Sequence, residues 1–175
     1  MLTKYLGFLL LAQLVLAAPS QPSQESVDFN DSVIRDVQQK AKLETVHLYD
    51  SLFRSQIAYF TEVRSHLSPQ TKRFRDITLY LTRLNQAIAQ EGLEAKEKIW
   101  FNVFEEFKES PLLLNRESET NLSDVQYKLL LTGKKLQDIS SQFLADVGGY
   151  VWNMAKFSGK VVENHIDGLA KASQT

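Results

Sequence analysis

The sequence has 175 residues, with 20 lysines and arginines against 21 aspartates and glutamates, and it contains no cysteine. This nearly balanced charge gives no electrostatic reason to expect nucleic acid as a partner. The lack of cysteine excludes disulfide-stabilised secreted folds, thiolate chemistry and cysteine-based zinc sites. The fold must therefore be held by packing alone, or by a ligand that covers its apolar faces.

The first 17 residues have the pattern of a secretory signal peptide. Lys4 precedes an apolar run that is interrupted only by Gln13 and is too short to span a bilayer comfortably. Small or aliphatic residues stand before Ala18, as a cleavage site there requires. We therefore expect a secreted, extracellular protein. Its parts would be a signal peptide at 1–17, a disordered lead-in at 18–27 and a single helical-bundle domain at 28–175.

An amphipathic pattern without Gly or Pro follows the lead-in and predicts a helix near Asp28–Leu67. An unbroken helix of that length would measure about 60 Å, which is long for a domain of this size. We therefore expect a kink or break near Leu43 to His47, where the apolar stripe changes face. The opposite face is polar and comprises Lys40, Glu44, His47, Ser51, Arg54 and Glu62.

Two further helices are expected in the middle of the chain. Ser68 and Pro69 have the residue types of an N-cap and of the first helical position, so the second helix should begin there. Gly92 should end or bend it, Leu93–Glu109 should form the third helix, and Pro111–Asn121 should be a loop. The second helix carries a clear heptad pattern at Phe74, Ile77, Leu81, Leu84 and Ile88.

The C-terminal third predicts one more amphipathic helix, which Ser123 and Gln126 can open with a capping box and Leu122 and Tyr127 with a hydrophobic staple. Gly133 falls inside the pattern and should be tolerated. Gly148-Gly149 should divide the helix, as a hinge or a close helix contact, into segments near 124–147 and 150–172. The apolar stripe runs through Leu129, Leu136, Phe143, Tyr150 and Phe157, with Val125, Ile139, Val147 and Met154 between them.

No strand-type alternation persists in the sequence, so the patterns predict an all-α fold. The simplest arrangement is an up-and-down bundle of four to five amphipathic helices after a cleaved signal peptide.

The last segment has a wide apolar face, because its charges fall on a narrow arc. Such a helix is either the central helix of a bundle, which is the commoner case, or a helix that lies in a lipid interface. The polar arc consists of Lys156, Lys160, Glu163, Asp167 and Lys171. The candidates for contact with a hydrophobic ligand are Trp100, Phe104, Phe107, Tyr150, Trp152, Met154 and Phe157.

The sequence has no nucleophile elbow, phosphate-binding loop or dinucleotide fingerprint, so we expect neither an enzyme nor a bound cofactor. His47, His66 and His165 do not stand at metal-binding spacing from one another, and no metal site is expected. Asn30 and Asn121 begin N-glycosylation sequons, although each also stands at a predicted helix start, where capping accounts for the same residue types.

Amphipathic helices without disulfides, behind a secretory signal, resemble the exchangeable apolipoproteins, in particular the insect apolipophorin class. The resemblance is architectural, covers the whole mature chain and involves no shared motif. It implies a helix bundle that opens to turn its inner faces onto lipid. The aromatic content of 10%, in contrast, favours a tighter and more permanent core.

Two functional hypotheses follow. The first is a secreted, non-catalytic protein that binds lipid or another hydrophobic small molecule and makes reversible contact with membrane surfaces. The alternative is a secreted interaction factor or effector that binds an extracellular protein through an exposed helix face. We expect a monomer, and self-association through the heptads is a third hypothesis.

Overall fold

The computed structural model describes residues 31–172, and it places side chains for residues 34–160 and for Glu163. The predicted signal peptide, the lead-in and Asn30 lie outside the described residues. The prediction of an all-α fold is confirmed, because residues 31–172 contain six helices and no strand. The helices are α1 Asp31–Ser65, α2 Lys72–Ile88, α3 Leu93–Phe107, α4 Glu117–Thr120, α5 Asp124–Leu131 and α6 Lys134–Ala172.

The longest helices, α1 and α6, lie side by side and antiparallel. Glu62 near the end of α1 binds Lys135 at the start of α6, and Glu44 accepts a hydrogen bond of 3.0 Å from Asn153. Between these ends, Ser51 donates to Asp146. The polar face opposite the apolar stripe therefore also takes part in packing, because Glu44, Ser51 and Glu62 contact α6.

Helix α1 is continuous, so the chain does not break near Leu43 to His47, while the alternative of a kink there stays a prediction. Its 35 residues span about 52 Å. Nothing in this stretch interrupts the backbone, and Thr45 Oγ1 donates back to Ala41 O at 2.9 Å, which is compatible with a continued helix. The length is accommodated because α6, with 39 residues, runs along it.

The heptad of α2 forms part of the core, as predicted. Ile77, Leu81 and Leu84 are buried, while Phe74 and Ile88 pack against the core from half-buried positions. The predicted start of this helix is wrong by three residues.

Thr71, rather than Ser68, caps α2 and accepts from Phe74 N at 3.3 Å. Ser68 instead closes a turn, in which its carbonyl oxygen accepts from Thr71 N at 3.0 Å. Pro69 lies within that turn and therefore precedes the helix.

Aromatic rings from α1, α2 and α3 fill the core. Phe53 of α1 lies between Tyr49 and Trp100, with ring centroids 5.9 and 5.8 Å away. A second series joins Phe60 to Tyr80 at 5.1 Å and Tyr80 to Phe107 at 4.9 Å, both edge to face. Such edge-to-face pairs are favourable beyond the area they bury, so they help to fix the relative positions of the three helices.

The segment between α3 and α5 contains the short helix α4, where the sequence predicts only a loop. Arg73 of α2 is buried beneath it, donates to Pro111 O and forms a 2.9 Å ion pair with Glu119. Tyr127 Oη donates to Leu112 O at 2.7 Å. These hydrogen bonds and the ion pair hold the segment against the core. The segment therefore packs although it has no long apolar stripe.

The break in the C-terminal region lies at Gly133, not at Gly148-Gly149. The capping box of Ser123 and Gln126 is confirmed, but α5 ends after eight residues. A Cβ at Gly133 would lie 3.1 Å from Leu130 O, so this junction favours glycine.

The break changes the phase of the apolar stripe. Leu129 and Val125 are 66% and 68% exposed, contrary to the prediction, whereas Tyr127 is buried. Beyond the break, Leu136 and Phe143 are buried as predicted.

Helix α6 continues through Gly148-Gly149, so the predicted division of this helix is wrong. Both glycines are exposed, and a Cβ added to either would meet no atom within 4 Å, which also contradicts the interpretation as a close helix contact. The helix persists because Asp146 and Asn153, on either side of the pair, both bind α1.

Candidate functional site

The structure does not bring the seven predicted ligand-binding residues together. On α3, Trp100 is only 3% exposed, and Phe104 and Phe107 are half-buried. Trp100 lies in the aromatic core and Phe107 packs against it, so these two rings stabilise the fold.

The four predicted residues on α6 divide between its two sides. Tyr150, Met154 and Phe157 are half-buried, and Tyr150 Oη lies 3.2 Å from Thr45 Oγ1 of α1. Trp152 points the other way and is 63% exposed. The division follows from helical spacing, because residues 150, 154 and 157 share one face and residue 152 is about 200° away from Tyr150.

Trp152 belongs to an uncharged outer face of α6. Leu144 is 53% exposed and Val151 is 60% exposed on the same side of the helix. Gly148 lies between them, one turn from Leu144 and one turn from Trp152. We define the outer face as the exposed residues Ser141, Leu144, Ala145, Gly148, Val151, Trp152 and Ala155.

A cation borders the outer face. Lys156 Nζ lies 5.2 Å from the centroid of the Trp152 ring, within the range of a cation–π contact. Lys160 is exposed one turn further along α6. The outer face therefore ends in an aromatic ring next to positive charge, which is the residue pairing found where helices lie at a lipid interface.

Two open cavities lie along the side of α1 that the aromatic core does not cover, and they meet at Arg54, Ala58 and Ile139. The first, of about 500 Å³, extends towards His47 and Asp146 between α1 and α6. The second, of about 620 Å³, also reaches α2 and is lined there by Ile88. We call the two cavities together the α1 groove. The groove arises because Ser51, Ser55 and Ala58 are too small to fill the space beside α6.

The acidic side chains of the α1 groove are occupied by partners. Glu62 binds Lys135 and lies 3.3 Å from His66 Nε2, and hydrogen bonds from Lys135 and then His66 lower the pKa of its carboxyl. Asp146 accepts from Ser51, and Asp50 forms a 2.6 Å ion pair with Lys96.

Arg54 also lines the α1 groove but, unlike these acidic side chains, has no bonded partner among the described residues. It is exposed, and within residues 34–160 its guanidinium has neither a hydrogen bond nor an ion pair. Arg54 and Asp146 are therefore the two lining charges without an ion-pair partner among the described side chains, and of these only Asp146 is hydrogen-bonded, by the neutral Ser51 and Gln142.

Lys96 is a buried cation that the sequence interpretation missed. It is 3% exposed, pairs with Asp50, and donates to Ile88 O at 3.1 Å. The spacing in the sequence does indicate that Lys96 faces the core. It shares one helical face with three apolar residues at i+4, i+7 and i+11, which are Trp100, Val103 and Phe107. Fixed by these partners, it holds α1, α2 and α3 together and is not free to react.

The structure does not bring together those predicted histidine and sequon residues whose side chains it describes, His47, His66 and Asn121. His47 lines the α1 groove, His66 contacts Glu62, and the side chain of His165 lies outside the described part. Across the described side chains, no cluster of three or more His, Asp or Glu could hold a metal ion. Asn121 is exposed, but it follows α4 in a left-handed conformation with φ of 57° and is not the cap of α5.

In the described residues we find no helix that is both long enough and apolar enough to cross a bilayer. Comparison of the chain with protein-family models, with curated proteins and with solved structures finds no match in any of the three. The outer face of α6 and the α1 groove are therefore the two features of the described structure that bear on function.

Proposed function

We propose that this is a secreted, non-catalytic helical protein, folded as an up-and-down bundle, that binds reversibly to lipid surfaces through the outer face of α6. The observation that carries the proposal is the exposure of Leu144, Val151 and Trp152 on one uncharged side of a helix whose other side already packs against α1. Secretion is supported by the signal-peptide pattern at 1–17. The bundle is supported by the antiparallel pairing of α1 with α6.

The energetics favour a weak and reversible contact. Full burial of a large apolar side chain contributes about 1.5–3 kcal/mol. Three such side chains, already half-covered in the free protein, can sustain peripheral binding but not permanent insertion. Lys156 beside Trp152 can extend its ammonium towards the headgroups while its methylene stem stays on the apolar side. Anionic lipid should therefore strengthen the contact.

The test is flotation of the purified protein with phosphatidylcholine vesicles, with and without phosphatidylglycerol. Trp152→Ser should weaken binding about tenfold or more, because an interfacial aromatic side chain is lost. Phe101→Ser is the matched control, since Phe101 is also half-exposed but lies on α3 among the polar side chains of Lys98 and Glu105. Binding that is absent in the wild type, or equal in both variants, would refute the proposal.

A second candidate function is docking of a helix from an extracellular protein onto the same face. It is favoured by the small residues Ala145, Gly148 and Ala155, which allow another backbone to approach closely. Gly148→Leu separates the two functions. The added side chain should strengthen vesicle binding by adding apolar area, whereas it would obstruct a closely packed partner helix.

A further inference from the structure

The second cavity of the α1 groove combines an apolar wall with one charge, Arg54, that has no partner among the described side chains. Ile57, Ala58, Ile88 and Ile139 contribute from three helices to the cavity of about 620 Å³, a volume in the range of about 300–1,000 Å³ found for small-ligand sites. Arg54 lines this cavity and also the adjoining one towards Asp146. Arg54 precedes Ala58 by one helical turn, so the guanidinium stands at one end of the apolar wall.

The charges in the groove indicate which ligand fits it. The carboxylates of Glu62, Asp50 and Asp146 are bound to Lys135, Lys96 and Ser51 respectively. In the second cavity Glu62 and Lys135 pair with each other, so the Arg54 guanidinium is the charge that lacks a partner among the described side chains. Asp146, whose hydrogen bonds come from neutral groups, lines the first cavity. A guanidinium matches the planar carboxylate with two parallel hydrogen bonds. A doubly charged phosphate would be disfavoured by the acids nearby, so the groove suits a monoanion.

We propose that the α1 groove binds a single-chain carboxylate amphiphile, a fatty acid, with its head on Arg54 and its chain along Ala58, Ile57, Ile88 and Ile139. The site is formed by α1, α2 and α6 on the side of α6 that faces α1, away from Trp152. It is therefore distinct from the outer face and goes beyond the proposed binding of lipid surfaces.

The experiment is a calorimetric titration of the purified protein with dodecanoate below its micelle concentration. We expect saturable binding, and Arg54→Gln should weaken it at least about tenfold through loss of the charge-assisted pair. Arg54→Lys should restore part of the affinity. Arg75→Gln is the matched control, because Arg75 is an exposed arginine on α2 that lines neither cavity, and its affinity should equal that of the wild type.

Two further variants make the outcome decisive. Ile139→Ser removes apolar wall without touching the charge and should also weaken dodecanoate binding, with circular dichroism confirming that the helices are retained. Trp152→Ser should leave dodecanoate binding unchanged while it weakens vesicle binding, so failure of one proposal is distinguishable from failure of the other. The proposal is overturned if the wild type does not bind dodecanoate, if Arg54→Gln binds as tightly as the wild type, or if Trp152→Ser abolishes binding.

Discussion

Three buried tyrosine hydroxyls of the core differ in how their hydrogen-bonding needs are met. Tyr80 donates to the amide oxygen of Gln56, and Tyr127 donates to Leu112 O. The hydroxyl of Tyr49 is buried and has no hydrogen-bond partner among the described residues. An unpaired buried hydroxyl costs free energy, so Tyr49 is a place where the fold is not at its most stable.

Burial also shifts the ionisation of these side chains. Burial, followed by the nearby Glu97 and Tyr150, raises the pKa of Tyr49 to about 12, and burial raises the pKa of Tyr80 and of Tyr127 as well. Tyrosine in an unfolded chain has a pKa of about 10. Above that pH the unfolded chain loses protons that the folded chain keeps, so the free energy of unfolding must fall as pH rises from about 10 to about 12.

Tyr49→Phe tests this assignment. At pH about 7 the unfolding free energy should be unchanged or slightly higher, because no hydrogen bond is lost, and its decline above pH about 10 should be shallower. The measurement is urea unfolding, followed by circular dichroism, over a series of pH values. Tyr80→Phe is the control: it leaves the Gln56 oxygen buried without its donor and should cost about 1–3 kcal/mol already at neutral pH. A steeper alkaline decline in Tyr49→Phe would contradict the argument.

At the scale of the elements, the glycines show how packing overrides local preference. Gly148 and Gly149 each cost a helix about 1 kcal/mol relative to alanine, yet α6 passes through them because its neighbouring turns are bound to α1. Gly133 ends α5 although the apolar pattern continues beyond it. Local helix preference alone predicts the break at the double glycine, because the contacts of α6 with α1 are not visible in the sequence.

Replacing the helical glycines by alanine should stabilise the protein. Gly148→Ala and Gly149→Ala should each raise the unfolding free energy by about 0.5–1 kcal/mol, because an added Cβ meets no atom and the unfolded chain loses freedom. Gly92→Ala is the control and should destabilise the protein, since Gly92 has φ of 80°. Thermal unfolding measures all three. Destabilisation by alanine at 148 or 149 would instead indicate a hinge at that position.

The sequence predicts which side chains are buried where the spacing of apolar residues along one helix decides it. It does not predict burial where the position of a neighbouring helix decides it. Ile77, Leu81 and Leu84 could be assigned to the core because their spacing alone puts them on one face. Trp152 could not be separated from Trp100 in this way. Both belong to apolar faces, and only the position of α1 decides that Trp152 is the exposed one. The α1 groove could not be predicted from the sequence either, because it forms where small side chains of α1 face α6.

At the scale of the whole molecule, the two proposed binding sites do not require the helices to separate. The core is closed by rings and ion pairs that join α1 to α2 and α3, and α6 is bonded to α1 from Lys135 to Asn153. The outer face of α6 is exposed in this closed state. The resemblance to exchangeable apolipoproteins implies the opposite mechanism, in which binding follows opening of the bundle.

A disulfide across α1 and α6 distinguishes the two mechanisms. Ser51 and Asp146 are hydrogen-bonded neighbours on the two helices, and because the chain has no cysteine, the double variant Ser51→Cys with Asp146→Cys can form only this one bond. If the outer face acts in the closed state, the oxidised and reduced forms should float with phosphatidylglycerol-containing vesicles to the same extent. If lipid must reach the inner faces, oxidation should abolish flotation and reduction should restore it, because the cross-link keeps Tyr150 against α1 until the disulfide is reduced.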